Sequence, residues 1–236
     1  MLFHLTPYAI LAILPIAAFL SYSFNPAQFS WSFRHGLEPM PTEVRDRATA
    51  IQPVCAVLAD VLVLGLVGVA MLGRSVGPAQ VGLLLDRWTR NALLGLAAAV
   101  ALAALQGIVA KRVTIGPGQF VEIAKKRPIS ISVSMFLVGA FSEELWIALC
   151  IVALRAAGHT AFTSAVITSV VFAVAHYQPS LSSALGVALK GGISTSLFIS
   201  TGSLVATFSW HFVGNLGSLY IARRRLLEGG WSTLEP

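Results

Sequence analysis

The sequence predicts an all-α, multi-pass transmembrane bundle of about seven spans plus an interfacial helix, forming one domain over residues 1–236. Three observations carry that prediction. Hydrophobic residues make up 56% of the chain and charged ones 11%, less than half the ~25% charge of a soluble domain. Mean hydropathy is +0.79, and seven apolar segments approach the ~20 residues that a helix needs to cross ~30 Å of hydrocarbon. All of the 16 Lys and Arg except Lys190 lie between those segments instead of on one face, which fits phospholipid headgroups and argues against nucleic acid as a partner. Disorder is excluded by the hydrophobicity, and collagen-like composition by only 20 Gly and 11 Pro.

The spans fall near 5–24, 53–73, 92–110, 129–154, 160–177, 181–200 and 203–222. The first has no Lys or Arg ahead of its apolar stretch, so it reads as a retained span instead of a secretory signal. From about Asn25 to Gln52 the chain is polar and rich in Pro, a lid or a solvated linker. In PAQVGLLLDRWTRN, helical spacing puts Val81, Leu84, Leu85 and Trp88 on one face and Asp86, Arg87 and Arg90 on the other. That pattern predicts an interfacial helix leading into the third span.

Orientation follows from the loop cations. Arg34, Arg45, Arg47, Lys111, Arg112, Lys125, Lys126, Arg127, Arg223, Arg224 and Arg225 collect on one side, against Arg74, Arg87, Arg90 and Arg155 on the other. The amino terminus is therefore expected outside a cell membrane and the carboxy terminus in the cytoplasm. Cys55 and Cys150 each sit inside an apolar run with no CxxC or Cys/His spacing, and read as packing residues. No internal repeat or second domain is visible.

Ionisable groups near a bilayer centre are expensive, at least ~2.5–3.5 kcal/mol on insertion scales, and usually face a cavity or a partner. Glu143 and Glu144 in the fourth span, His176 at the end of the fifth and His211 in the seventh are such groups. Asp60 and Lys190 are two more, and mutual neutralisation or snorkelling is the simplest account of them. Adjacent glutamates on a helix point about 100° apart, so one faces the chemistry and the other supports it. Phe172 and His176, and likewise His211 and Asn215, are four residues apart and share a helix face.

The segments EELWIA, FAVAH and HFVGN, in this order in apolar helices, resemble the three motifs of the CPBP family. That family contains the CAAX prenyl-protein endopeptidases and bacteriocin-processing enzymes, also called Abi proteins. The resemblance covers about 130–220, the expected catalytic core, and the run GSLVATFSWHFVGN adds to it. One position departs from the family pattern: where EExxxR places an Arg, this chain has Ala148, and Arg155 is two turns further on.

The resemblance implies an intramembrane glutamic endopeptidase acting on a membrane-associated protein or peptide. Peptide hydrolysis needs an activated water, a stabilised oxyanion and a proton for the leaving amine. By the resemblance, Glu143 and His176 activate the water, His211 and Asn215 donate to the oxyanion, and Glu144 orients a histidine. No cofactor is expected. Glu plus two His is also a zinc ligand set, but no HExxH is present and the groups come from separate helices. Two other readings stay open: a transporter or proton relay using the same Glu and His, and a catalytically silent scaffold of the protease fold.

Overall fold

The computed structural model describes residues 6–23, 34–35, 41–74, 76–110, 128–176 and 181–227. These are mostly helical, with no strand among the described residues. The principal helices are α1 (Pro7–Ser23), α2 (Thr42–Arg74), α3 (Trp88–Ala110), α4 (Ile129–Ala156), α5 (Ala161–Ala175), α6 (Leu181–Thr201) and α7 (Leu204–Leu227). Each predicted apolar segment coincides with one of them. Pro53–Gly73 within α2 and the whole of α4 are long and apolar enough to cross a membrane, while Pro7–Ala17, Trp88–Ala104 and Ala161–Ala175 are shorter apolar helices.

α4 is the central helix, packed against α1, α2, α5, α6 and α7. Its second half is buried almost without interruption from Glu144 to Leu154, which a helix apolar all round requires. α1 closes over that half with Ile10, Leu11, Ile13 and Leu14, and the Trp146 indole donates to the Ile10 carbonyl at 2.9 Å. Buried Trp keeps its N–H paired in this way. α3 joins the bundle through α7. The contact is close because Gly95 has no side chain: a Cβ there would run into the Ala206 carbonyl and the Trp210 amide.

Two expectations are corrected. PAQVGLLLDRWTRN forms no interfacial helix; residues 78–87 are turns and extended chain, and helix begins only at Trp88. Gly82 is the reason. It sits at φ +74, where a Cβ would meet the Leu204 amide at 2.5 Å and the Gly202 carbonyl at 2.7 Å. Its own carbonyl accepts from Leu204 N–H at 2.9 Å, so this link to α7 replaces the helical bond that Gly82 would otherwise make. Val81 is buried while Leu84, Leu85 and Trp88 stay exposed, so the predicted face is split.

The polar connection is also shorter than expected, because α2 begins at Thr42 and carries Pro53 inside it. The rest of that connection, 24–33 and 36–40, lies outside the described residues, as do Lys111, Arg112, Lys125, Lys126 and Arg127, on which the orientation depends.

Candidate active site

Two short turns set the register of the polar groups. α4 and α5 are joined through residues 157–160, where Thr160 caps α5 by accepting from Thr163 N–H at 3.1 Å. Along α4, Glu143 is about 21 Å from that turn, and along α5, His176 is about 24 Å from it. Antiparallel helices place equidistant residues side by side, and Glu143 Oε1 lies 3.5 Å from His176 Nε2. Depth along both helices is counted from one place. The shared turn is the correct origin.

The second turn, Gly202–Ser203, does the same for α6 and α7. Ser194 and His211 are each about 12 Å from it, and both reach Glu144 Oε1, Ser194 Oγ at 2.7 Å and His211 Nδ1 at 2.7 Å. The Trp210 indole donates to Ser194 Oγ at 3.0 Å and extends the chain. Glu144 is fully buried, whereas the Glu143 side chain keeps 20% of its surface exposed.

The hydrogen-bond partners decide what each histidine can offer. A carbonyl oxygen only accepts, so His176 Nδ1 donates to the Phe172 carbonyl at 2.8 Å and Nε2 is the nitrogen turned to Glu143. A carboxylate likewise only accepts, so His211 Nδ1 donates to Glu144, and its Nε2 lies 3.5 Å from Glu143 Oε2. Both Nε2 atoms thus converge on one carboxylate at distances longer than a direct hydrogen bond. Glu143 Oε2 and Glu144 Oε2 are buried with no hydrogen-bond partner among the described residues, an exception among buried polar atoms. Phe172 packs between the rings, 4.2 Å from His176 and 6.2 Å from His211 by centroid.

Asn215 follows His211 by one turn of α7. Both line a cavity of about 200 Å³ with Lys190, Ser194, Trp210 and Phe172, its remaining wall being mainly apolar residues of α3 and α7. The Asn215 amide makes no side-chain hydrogen bond among the described residues. Asp60 and Lys190 have different neighbours: Asp60 accepts from Ser142 Oγ at 2.8 Å, and Lys190 interacts electrostatically with Glu143. Ala148 is completely buried in the apolar core, and Arg155 is spent at the end of α4, donating to the His159 carbonyl at 2.9 Å. No guanidinium from either position reaches the glutamates. Among the described residues, no group of three His, Cys, Asp or Glu is arranged to hold a metal ion.

Ser194 and Trp210 were not singled out from sequence. Their signal was available, since Ser194 and His211 are equally far from the Gly202–Ser203 turn. It becomes visible only once Ser194 is read as the partner of a buried carboxylate instead of one of many small helix residues.

Residues 125–217 match the family model Rce1-like, described as type II CAAX prenyl endopeptidase Rce1-like. The match agrees with the CPBP and CAAX-protease resemblance of the three motifs and covers all five polar residues of the site. The family is a membrane-embedded protease family that acts on membrane-associated proteins, so the match supports peptidase activity in a membrane setting. No curated protein and no solved structure matches the chain.

Proposed function

We propose that this chain is a multi-pass intramembrane endopeptidase that hydrolyses a peptide bond of a membrane-associated protein or peptide with a water activated by Glu143 and His176. One observation carries the reading: Glu143 lies 3.5 Å from Nε2 of both histidines, while Glu144 holds the other nitrogen of His211 at 2.7 Å. A carboxylate oxygen and an imidazole lone pair this close can each accept a hydrogen of one water. That leaves the water's lone pair facing outward as the nucleophile.

Attack on the peptide carbonyl moves a proton to Glu143. The tetrahedral oxyanion accepts hydrogen bonds from His211 Nε2–H and the Asn215 amide, donors worth ~2.7–4 kcal/mol each where measured in other enzymes. For His211 to donate through Nε2 while Nδ1 donates to Glu144, both nitrogens carry protons, and the Glu144 carboxylate is the counter-charge for that form. Glu143 hands the proton it took from the water to His176 Nε2, 3.5 Å away, and His176 delivers that proton to the leaving amine as the C–N bond breaks. Each role is filled by a residue of this chain, so the reading requires no metal. Seven spans with a cytoplasmic carboxy terminus complete the proposal, and the short α5 fits it because the site lies at the end of α5 where His176 sits.

The test is cleavage of membrane-anchored peptides by the purified chain, run with and without chelator and accompanied by elemental analysis. Cleavage that persists in chelator and disappears in Glu143→Gln is the expected result. One equivalent of zinc whose removal abolishes cleavage would replace the glutamate-base account with a metal-hydroxide one. Absence of cleavage across the whole peptide set would leave the transport and scaffold readings standing.

A further inference from the structure

At one end of the bundle, about 10 Å along α7 from His211, lies a second, polar cavity of about 330 Å³. It is walled by Arg87, Arg90, Asp86 and Asn91 at the start of α3 and by Ser200 and Ser203 at the turn into α7. The mechanism uses none of these residues. Asp86, Arg87, Arg90 and Asn91 belong to the segment whose spacing predicts an interfacial helix, and here they wall a hollow together with the turn before α7.

Several features of this hollow point to an anion. Two guanidiniums against one carboxylate leave the wall positive, and neither Arg87 nor Arg90 makes an ion pair among the described residues. The first turn of α3 lines it with Arg90 and Asn91, and a helix amino terminus favours negative charge. The independent observation is Ser203. It is 3% exposed, lines the cavity, and its Oγ is buried with no hydrogen-bond partner among the described residues. A buried hydroxyl left unpaired is a rare exception that a bound acceptor resolves.

The surroundings indicate what kind of anion. Leu84 is part of the wall, and Leu84, Leu85 and Trp88 are exposed beside it. A free phosphate has no use for an apolar flank, whereas a phospholipid carries its phosphate next to acyl chains. We propose that Arg87, Arg90 and Ser203 form a binding site for the headgroup phosphate of a membrane phospholipid, with its chains lying along Leu84, Leu85 and Trp88. This goes beyond the protease reading and does not depend on it.

The experiment titrates the full purified chain in neutral detergent with phosphatidylglycerol or with inorganic phosphate, and reads retained ligand by native mass spectrometry. One retained phosphatidylglycerol is expected, with binding weakened about tenfold for each guanidinium lost in Arg87→Gln/Arg90→Gln. Ser203→Ala should weaken it less, and Arg155→Gln, an exposed arginine outside the cavity, should leave it unchanged. Equal binding by the double variant overturns the site, and saturation by inorganic phosphate at the same concentration overturns the lipid as its source. Arg87→Gly guards against a folding artefact. Arg87 is at φ +53, a left-handed conformation that Gly adopts more readily, so this variant should unfold at a higher temperature without lipid yet bind lipid more weakly. A loss of both would mean that Arg87 serves structure alone and would also overturn the proposal.

Discussion

The α4–α5 and α6–α7 hairpins each deliver a histidine to the glutamate pair, and they do so with opposite tightness. α4–α5 leaves Glu143 3.5 Å from His176 and a fifth exposed. α6–α7 sets Ser194 and His211 at 2.7 Å from Glu144 and seals it from solvent. A carboxylate sealed from solvent, with one oxygen already holding two donors, gives a water no route to enter and leave. One whose neighbours stand slightly apart does. The two adjacent glutamates are therefore divided by the hairpin that each faces, and the roles proposed for them follow that division.

The most severe way to test this division is to remove the basic oxygen on the loose side. Glu143→Gln keeps the shape of the side chain, and general-base catalysis typically contributes ~10²–10⁴ in rate, so cleavage should fall to background while the helical content and melting transition stay near those of the parent. Background cleavage in Glu144→Gln with substantial cleavage in Glu143→Gln would exchange the two roles and break the comparison.

Next in size is the oxyanion side. Asn215→Ala should lower kcat by about 10²–10³ with KM little changed, since the amide acts on charge that exists only in the transition state. A rise in KM alone would make Asn215 a substrate-binding residue of the cavity and detach it from the histidines.

Much of this arrangement was legible in the chain. The helix positions followed from apolar run lengths, and the polar residues stood out because lipid penalises them wherever they lack a partner. The segment before α3 was misread because its spacing satisfies a helical face, while the deciding fact is a contact with Leu204, more than a hundred residues away, that only Gly82 permits. Asp60 and Lys190 were paired by charge alone, whereas tertiary packing gives Asp60 to Ser142 and brings Lys190 near Glu143. The common depth of Glu143 and His176 follows from counting α4 and α5 from the turn they share. Hairpin register is a sequence-level quantity, and it locates both histidine contacts.

A milder probe addresses the tight side. Glu144→Gln retains an oxygen that can accept from His211 and Ser194 but loses its charge, and hydrogen bonds to charged groups are worth about 1.5–3 kcal/mol against ~1 for neutral ones. Turnover should drop about tenfold and remain measurable. Unchanged turnover would show that the buried carboxylate is only a packing element.

The smallest effect is expected at Ser194, and it separates positioning from mere contact. Its hydroxyl accepts from the Trp210 indole and donates to Glu144, so Ser194→Ala leaves an indole N–H without its partner and Glu144 with His211 as its one polar contact among the described residues. Stability should fall by about 1–3 kcal/mol, the cost of an orphaned buried donor, read as a lower denaturant midpoint. Turnover should fall only about fivefold, because the His211 contact that fixes the ring is still made. The double variant with Glu144→Gln then sharpens the comparison. If Ser194 works through Glu144, the two losses in turnover will sum to less than additivity, since the second change removes a partner that is already uncharged. Strict additivity would place Ser194 in packing alone, leaving His211 as the sole link between the α6–α7 hairpin and the glutamates.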